Sequence, residues 1–291
     1  MPINRKIMGV SRGGASKKAI FGYGVSSSIT NLVSNLGVVS TDTTGVGTAR
    51  NGLAAAGYGT DKAIFGYGTT GSNVSLTNLV SSSGVVATDT TGVGTSRNAI
   101  AAAGYGTDKA IFGYGQTTPY VSMTNLVSNI GVVSADTTGV GSIHGSLAAA
   151  RYGIDKALFG YGIDSVNFLS ITNLVSNLGV VSTDTTGVGT ARNGLAAAGY
   201  GTDKAIFGYG NGGFVTNLVS NTGVVASDVA GVGTSRQLLA AASYGTDTAI
   251  FGYGLGASSK TNLVSSIGVV ATDTAGVGTS RYSLAASSYG S

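Results

Sequence analysis

Apolar and polar positions along the chain follow a pattern that recurs six times. The run Lys-Ala-Ile-Phe-Gly-Tyr-Gly begins at Lys18, Lys62, Lys109, Lys156 (with Leu158 for Ile) and Lys204, and a sixth copy begins at Thr248, at steps of 44, 47, 47, 48 and 44 residues. In the second copy Ala63, Phe65 and Tyr67 fall on one side at period two, which predicts a strand. Thr77, Asn78, Leu79 and Val80 predict the next strand. An Asn-x-Gly or Ser-x-Gly turn then leads into Val85 and Val86, a hairpin signal present in every copy. A Gly-rich loop follows, and Arg97 to Tyr105 predicts one more strand. Its alanines suit a helix by propensity, but Gly104, Gly106 and its place in the repeat favour a strand.

Four short strands in each of six units of this length predict an all-β chain, a six-bladed β-propeller of four-stranded blades. We name the strands a (Arg-x-x-Leu-Ala-Ala), b (Lys-Ala-Ile-Phe), c (Thr-Asn-Leu-Val) and d (Val-Val-x-x-Asp). The sequence runs b, c, d first and a last, so the C-terminal strand is expected to complete the N-terminal blade and close the ring. Residues 1–16 form a basic N-terminal arm and residues 17–291 the repeat domain. Twelve of the fourteen tyrosines and six of the eight phenylalanines occupy repeated positions, which predicts aromatic packing between blades.

Composition narrows the chemistry. Charged residues are 10% of the chain against a usual ~25%. There is no Cys, Trp or Glu and only one His. Thiolate metal sites, disulfides and multi-His metal sites are therefore excluded, and little remains for acid–base catalysis. We expect no enzyme activity, no cofactor and no metal. The apolar fraction of 42% with a net charge of +4 opposes disorder. Apolar runs are short and broken by glycine, so no membrane insertion is expected. The first nine residues lack the apolar stretch of a signal peptide, which makes cytoplasmic synthesis the expectation. Arg5, Lys6, Arg12, Lys17 and Lys18 precede the first acid, Asp42, and the remaining eleven basic and twelve acidic residues net to −1. No nucleic-acid partner is expected from so neutral a body.

Candidate residues divide into repeated and unrepeated ones. An Asp of strand d and a basic residue eight positions on flank each Gly-rich loop: Asp42/Arg50, Asp89/Arg97, Asp136/His144, Asp184/Arg192, Asp228/Arg236 and Asp273/Arg281. Sixfold recurrence favours a structural role, Asp bonding loop N–H groups and Arg pairing with it or with loop carbonyls. A ring of charge that recognises a partner is the other reading. His144 stands in an Arg slot. Asp-Lys steps such as Asp61-Lys62 mark the a–b turns. The Gly-Val-Gly loops lack the Gly-Lys-Ser/Thr of a phosphate loop and open no helix. The b–c loops, residues 25–29, 69–76, 116–123, 163–171, 211–215 and 255–260, vary most. They hold Asn73, Tyr120, Asp164, Asn167, Phe168, Phe214 and Lys260, candidate contacts for a partner or a glycan.

The order of an Arg-x-x-small strand, an aromatic-Gly strand and a Thr-Asn-Leu-Val strand resembles the Kelch repeat over nearly the whole chain. It departs from that family in having Gly66-Tyr67-Gly68 where the family has a double Gly, and in lacking the Trp after strand c. The phrasing also resembles Gly-rich repeat proteins of tailed-bacteriophage virions. Kelch-like oxidases need a copper site, and no His pair exists here. The resemblance implies a non-enzymatic virion structural or tail-associated protein, a rigid docking module whose partners are other structural proteins of the particle. Its arm, through Arg5, Lys6 and Arg12, would anchor it. The alternative is a lectin-like propeller that binds a host-surface glycan through the b–c loops or blade edges.

Overall fold

The computed structural model describes residues 16–25, 27–256 and 259–290. The described chain is all-β, with six antiparallel sheets, five of three strands and one of four. The second sheet shows the plan. Its a strand is Ala54–Tyr58, its b strand Lys62–Gly66 and its c strand Thr77–Val80. The a and b strands pair from Ala54↔Gly66 to Tyr58↔Lys62, and the b and c strands from Ala63↔Val80 to Gly66↔Thr77. The last strand, Ala285–Tyr289, pairs with Lys18–Gly22, from Lys18↔Tyr289 to Gly22↔Ala285, so one sheet is built from both ends of the described chain.

The other a strands are Ala101–Tyr105, Ala148–Tyr152, Ala196–Tyr200 and Ala240–Tyr244. Each a strand lies beside those of the sheets before and after it. Ala285–Tyr289 lies beside both Ala240–Tyr244 and Ala54–Tyr58, so the order of neighbours returns on itself.

The fourth strand is a departure from expectation. Only Val229–Ala230 forms a d strand, against Val215–Val219. Elsewhere segment d makes two isolated bridges, such as Val33↔Val39 and Thr30↔Thr43 in the first sheet. Four steps of segment d there oppose three of strand c, so a bulge breaks the ladder. Asn31 fills the gap: its side-chain amide donates to the Ser40 carbonyl at 3.0 Å and to Asp42 Oδ1 at 2.9 Å.

The core divides into six layers, each between successive sheets. Each b-strand Phe points at the b-strand Gly of the sheet before it. A Cβ on Gly66 would lie 2.7 Å from the Phe112 ring. The Phe ring also meets the Tyr of the preceding Gly-Tyr-Gly edge-on, as Phe112 does Tyr67 at 5.2 Å and 61°. Such pairs add about 0.5–1.5 kcal/mol each beyond their buried area. All six are present, including Phe21 with Tyr253.

Strand direction sorts the connections onto two faces. One face carries the b–c loops and the Gly-rich crossovers, joined by bridges such as Asn51↔Thr69. The other carries the a–b and c–d turns. There a Cβ on Gly37, whose φ is +79°, would lie 2.8 Å from the Tyr244 ring, so the c–d turn needs both the left-handed backbone and the missing side chain.

Candidate functional site

The Asp and Arg candidates do pair, but not eight residues apart. Each Gly-rich loop carries the chain from one sheet to the next, so the Asp before it and the Arg after it belong to different sheets. The contacts run Arg50–Asp89, Arg97–Asp136 and Arg236–Asp273 at 3.7 Å, and Arg281–Asp42 at 4.0 Å. Asp228 binds Thr190, two residues before Arg192, in the same arrangement. Sequence spacing could not show this, because the true partners lie about one repeat apart.

Each arginine is a buried staple. Arg50 donates through Nε to the Tyr67 carbonyl at 2.8 Å, through Nη1 to the Thr48 carbonyl at 3.1 Å and through Nη2 to Asn78 Oδ1 at 2.6 Å. Its guanidinium also lies 4.4 Å from the ring centre of Tyr23, in the preceding sheet. Arg97, Arg192, Arg236 and Arg281 repeat this stack on Tyr67, Tyr161, Tyr209 and Tyr253. The stacked tyrosines hold left-handed backbone, with Tyr67 at φ 64°, and their hydroxyls donate to loop carbonyls such as Val93. Burial pushes Tyr23, Tyr67, Tyr209 and Tyr253 up to about 12.

The aspartates latch the crossing loop. Asp89 accepts from Thr48 N at 2.9 Å, Thr48 Oγ1 at 2.6 Å and Asn78 Nδ2 at 2.9 Å. Burial draws such carboxyls upward, but these hydrogen bonds outweigh it and hold Asp42, Asp89, Asp136, Asp184, Asp228 and Asp273 below their ordinary value.

His144 fills its Arg slot incompletely. Its ring lies 4.4 Å from the Tyr114 ring, where the other copies stack a guanidinium, and Nδ1 meets the Ser142 carbonyl at 2.7 Å. A carbonyl only accepts, so Nδ1 carries the proton. Nε2 and Asn173 Oδ1 are both buried without a partner. In the other five copies the equivalent Asn oxygen accepts from Arg Nη2. Burial pushes the imidazole pKa down, so this copy lacks the positive charge that the others set beside Asp.

The b–c loop candidates are mostly committed to the protein itself. Asn73 donates to the Gln116 carbonyl at 3.0 Å and accepts from Asn98 at 2.8 Å, both in the next sheet's loops. Phe214 is half-buried, 5.8 Å from the Tyr209 ring. Tyr120 is half-buried over Gly145. Lys260 bonds Thr234 Oγ1 at 2.9 Å and Asp273 at 3.3 Å. Asp164 accepts from the backbone of Asn167 at 2.6 Å and Val166 at 2.7 Å, which closes a turn and lowers its pKa. Phe168 and Asn167 remain exposed at the tip of the one extended hairpin, Lys156–Ile163 with Phe168–Val175. Arg5, Lys6 and Arg12 lie outside the described residues.

Apolar exposure is concentrated on the opposite face, where sequence reading missed it. The first Val of the pair in every c–d turn points outward: Val38, Val85, Val132, Val180, Val224 and Val269, each at 59–65% exposure. Leu36, Ile130, Leu178 and Ile267 stand beside them at 74–77%. The Val-Val pairs look like core strand in sequence, yet only the second Val, such as Val86, packs inward. On the same face the Asp-Lys turns pair side chains at the surface, as Lys62 does with Asp61 at 3.2 Å.

No protein-family model matches the chain, and a comparison with curated proteins gives no match.

Proposed function

We propose that the chain is a six-bladed, Kelch-like propeller that acts as a non-enzymatic docking module in a larger assembly. The closed order of a-strand neighbours and the six repeated inter-sheet layers support the propeller. The observation that carries the docking role is the collar of exposed Val, Leu and Ile on the c–d turns. Such patches mark protein contact surfaces. The charged residues of the same face favour apolar docking over charge recognition, since Asp61, Asp108 and Asp203 are already matched by Lys62, Lys109 and Lys204. The partner is another structural protein of the assembly, and a bacteriophage shell or tail is the setting that the sequence style supports. There the chain is a virion component.

Quantitative peptide mass spectrometry on purified particles tests the setting: a fixed ratio to shell or tail proteins is expected, and absence from particles overturns it. A variant with Val38, Val132, Val180 and Val269 changed to Lys tests the surface. Loss of co-assembly with an unchanged circular-dichroism spectrum is expected. Unchanged assembly removes the collar from the account.

One observation favours the second reading, a glycan contact. Phe168, at 38% exposure, and Asn167 sit together on the extended hairpin. Phe168→Ala combined with Asn167→Ala would abolish binding in a glycan screen if that reading holds, while leaving assembly intact.

A further inference from the structure

A cavity of about 130 Å³ lies where the six a strands converge. Residues of all six a strands line it, and at the fourth position of five of them these are Gly57, Gly104, Gly199, Ser243 and Ser288. The third sheet to carry this strand breaks the rule: Ala148–Tyr152 reads Ala-Ala-Ala-Arg-Tyr, and Arg151 enters the cavity. Lys17 lines the same space. Its backbone is pinned to Gly245, with Lys17 N donating to the Gly245 carbonyl at 3.1 Å and Gly245 N to the Lys17 carbonyl at 2.8 Å.

These two cations have no carboxylate within 4.0 Å among the described residues. Burial lowers both pKa values, and the charge of Arg151 lowers Lys17 further. Asp155 offsets Arg151 only from a distance. The turns around the mouth supply no surplus acid: Asp61, Asp108, Asp155, Asp203 and Asp247 are matched in number by Lys18, Lys62, Lys109, Lys156 and Lys204. Two like charges share a partly desolvated space, an arrangement that costs free energy unless an anion joins them.

The far end offers no such chemistry. Leu53, Ile100, Leu147, Leu195, Leu239 and Leu284 gather there, next to a second cavity. The mouth beside Lys17 and Arg151 has one more irregularity. Ile154 is 65% exposed with φ of 70°, where the other copies carry Thr60, Thr107 and Thr202. Thr60, Thr107 and Thr202 hold the same left-handed backbone at φ 66–70°, so what is new at this mouth is the apolar side chain alone.

We propose that Lys17 and Arg151 form an oxyanion site in this cavity, taking a phosphate group. The guanidinium fork supplies paired donors, the ammonium supplies a point charge, and the Ser288 hydroxyl lines the wall. The group enters from the face of the a–b turns, either as a free ion or as the phosphate end of a larger molecule.

The test uses the full chain and its Arg151→Gly variant. Gly already occupies this position in three a strands, so the fold is expected to tolerate the change. Inorganic phosphate and phosphoserine are titrated calorimetrically against both proteins, with chloride at matched ionic strength as the control. Wild type is expected to bind phosphate in preference to chloride, and Arg151→Gly to lose at least tenfold in affinity. Lys17→Ala is expected to lose a similar factor. Tighter binding of phosphoserine than of the free ion points to a carried group, and the reverse order to a free ion. Phosphate binding no stronger than chloride, or equal affinity in wild type and Arg151→Gly, overturns the site. The collar variants leave this binding unchanged, so the site and the docking surface fail independently.

Discussion

Arg281 donates through Nε to the carbonyl of Tyr23 at 2.8 Å, across 258 residues of chain. Its Nη2 reaches Asn31 Oδ1 at 2.6 Å, and its guanidinium stacks on Tyr253 at 4.4 Å. One side chain thus ties the C-terminal segment to the two N-terminal strands of its own sheet and stacks on the sheet before it. Arg281→Ala removes three hydrogen bonds and leaves buried acceptors unpaired, which costs about 3–5 kcal/mol by comparison with other broken buried pairs. Urea unfolding of the variant is expected to show that loss.

The His144 position predicts the opposite sign. Arg at this site would regain a donor for Asn173 Oδ1 and a cation beside Asp184. His144→Arg is expected to stabilise by about 1–3 kcal/mol, the worth of relieving an unsatisfied buried group. Arg97→His would reproduce the defect in another sheet. A denaturation midpoint that falls in His144→Arg contradicts the account.

Packing of each b-strand glycine against the next phenylalanine sets a third expectation. Gly66→Ala would drive a methyl into the Phe112 ring. A cost of about 1–3 kcal/mol follows from overpacking. The paired change Gly66→Ala with Phe112→Leu would recover part of it, readable as a non-additive double-mutant cycle.

Stability should fall at both ends of the pH scale. The buried tyrosines ionise near 12 when folded and near ~10 when unfolded, so the unfolded state releases protons first. Their contribution is whole below pH ~10 and is lost between ~10 and ~12. The latch aspartates are held low when folded. Their contribution is whole above the unfolded value of ~3.9 and declines as pH falls through their folded values. Asp89→Asn is expected to blunt the acid side alone, measured by thermal unfolding across pH.

Much of the repeat geometry was legible in the sequence because it rests on period-two alternation. Ala63 and Phe65 mark strand b without help from the rest of the chain, but Tyr67, which the same alternation assigned to it, lies past the end of the strand in left-handed backbone. Segment d was misjudged because Asn31 replaces a ladder bond with its side chain, and no local pattern reports that. The Arg–Asp pairing was misassigned because proximity in sequence and proximity in the sheet differ by one crossover. Phe214 and Asn73 looked like contacts through their irregularity, yet Phe214 packs on Tyr209 of its own sheet and Asn73 bonds Gln116 and Asn98 in the next sheet's loops. The cavity cation was open to detection: aligning Ala-Ala-Ala-Gly-Tyr with Ala-Ala-Ala-Arg-Tyr singles out Arg151, although a charge in a strand shows its surroundings only once six strands meet.

The pairing of Lys18–Gly22 with Ala285–Tyr289 makes the order of the repeats a matter of where the chain is cut. A circular permutant joined by a short linker between Gly290 and Ser16, and opened at Gly71, where an added Cβ would meet nothing within 4 Å, would keep every strand pairing. Any of the six repeats could then be translated first without changing its neighbours.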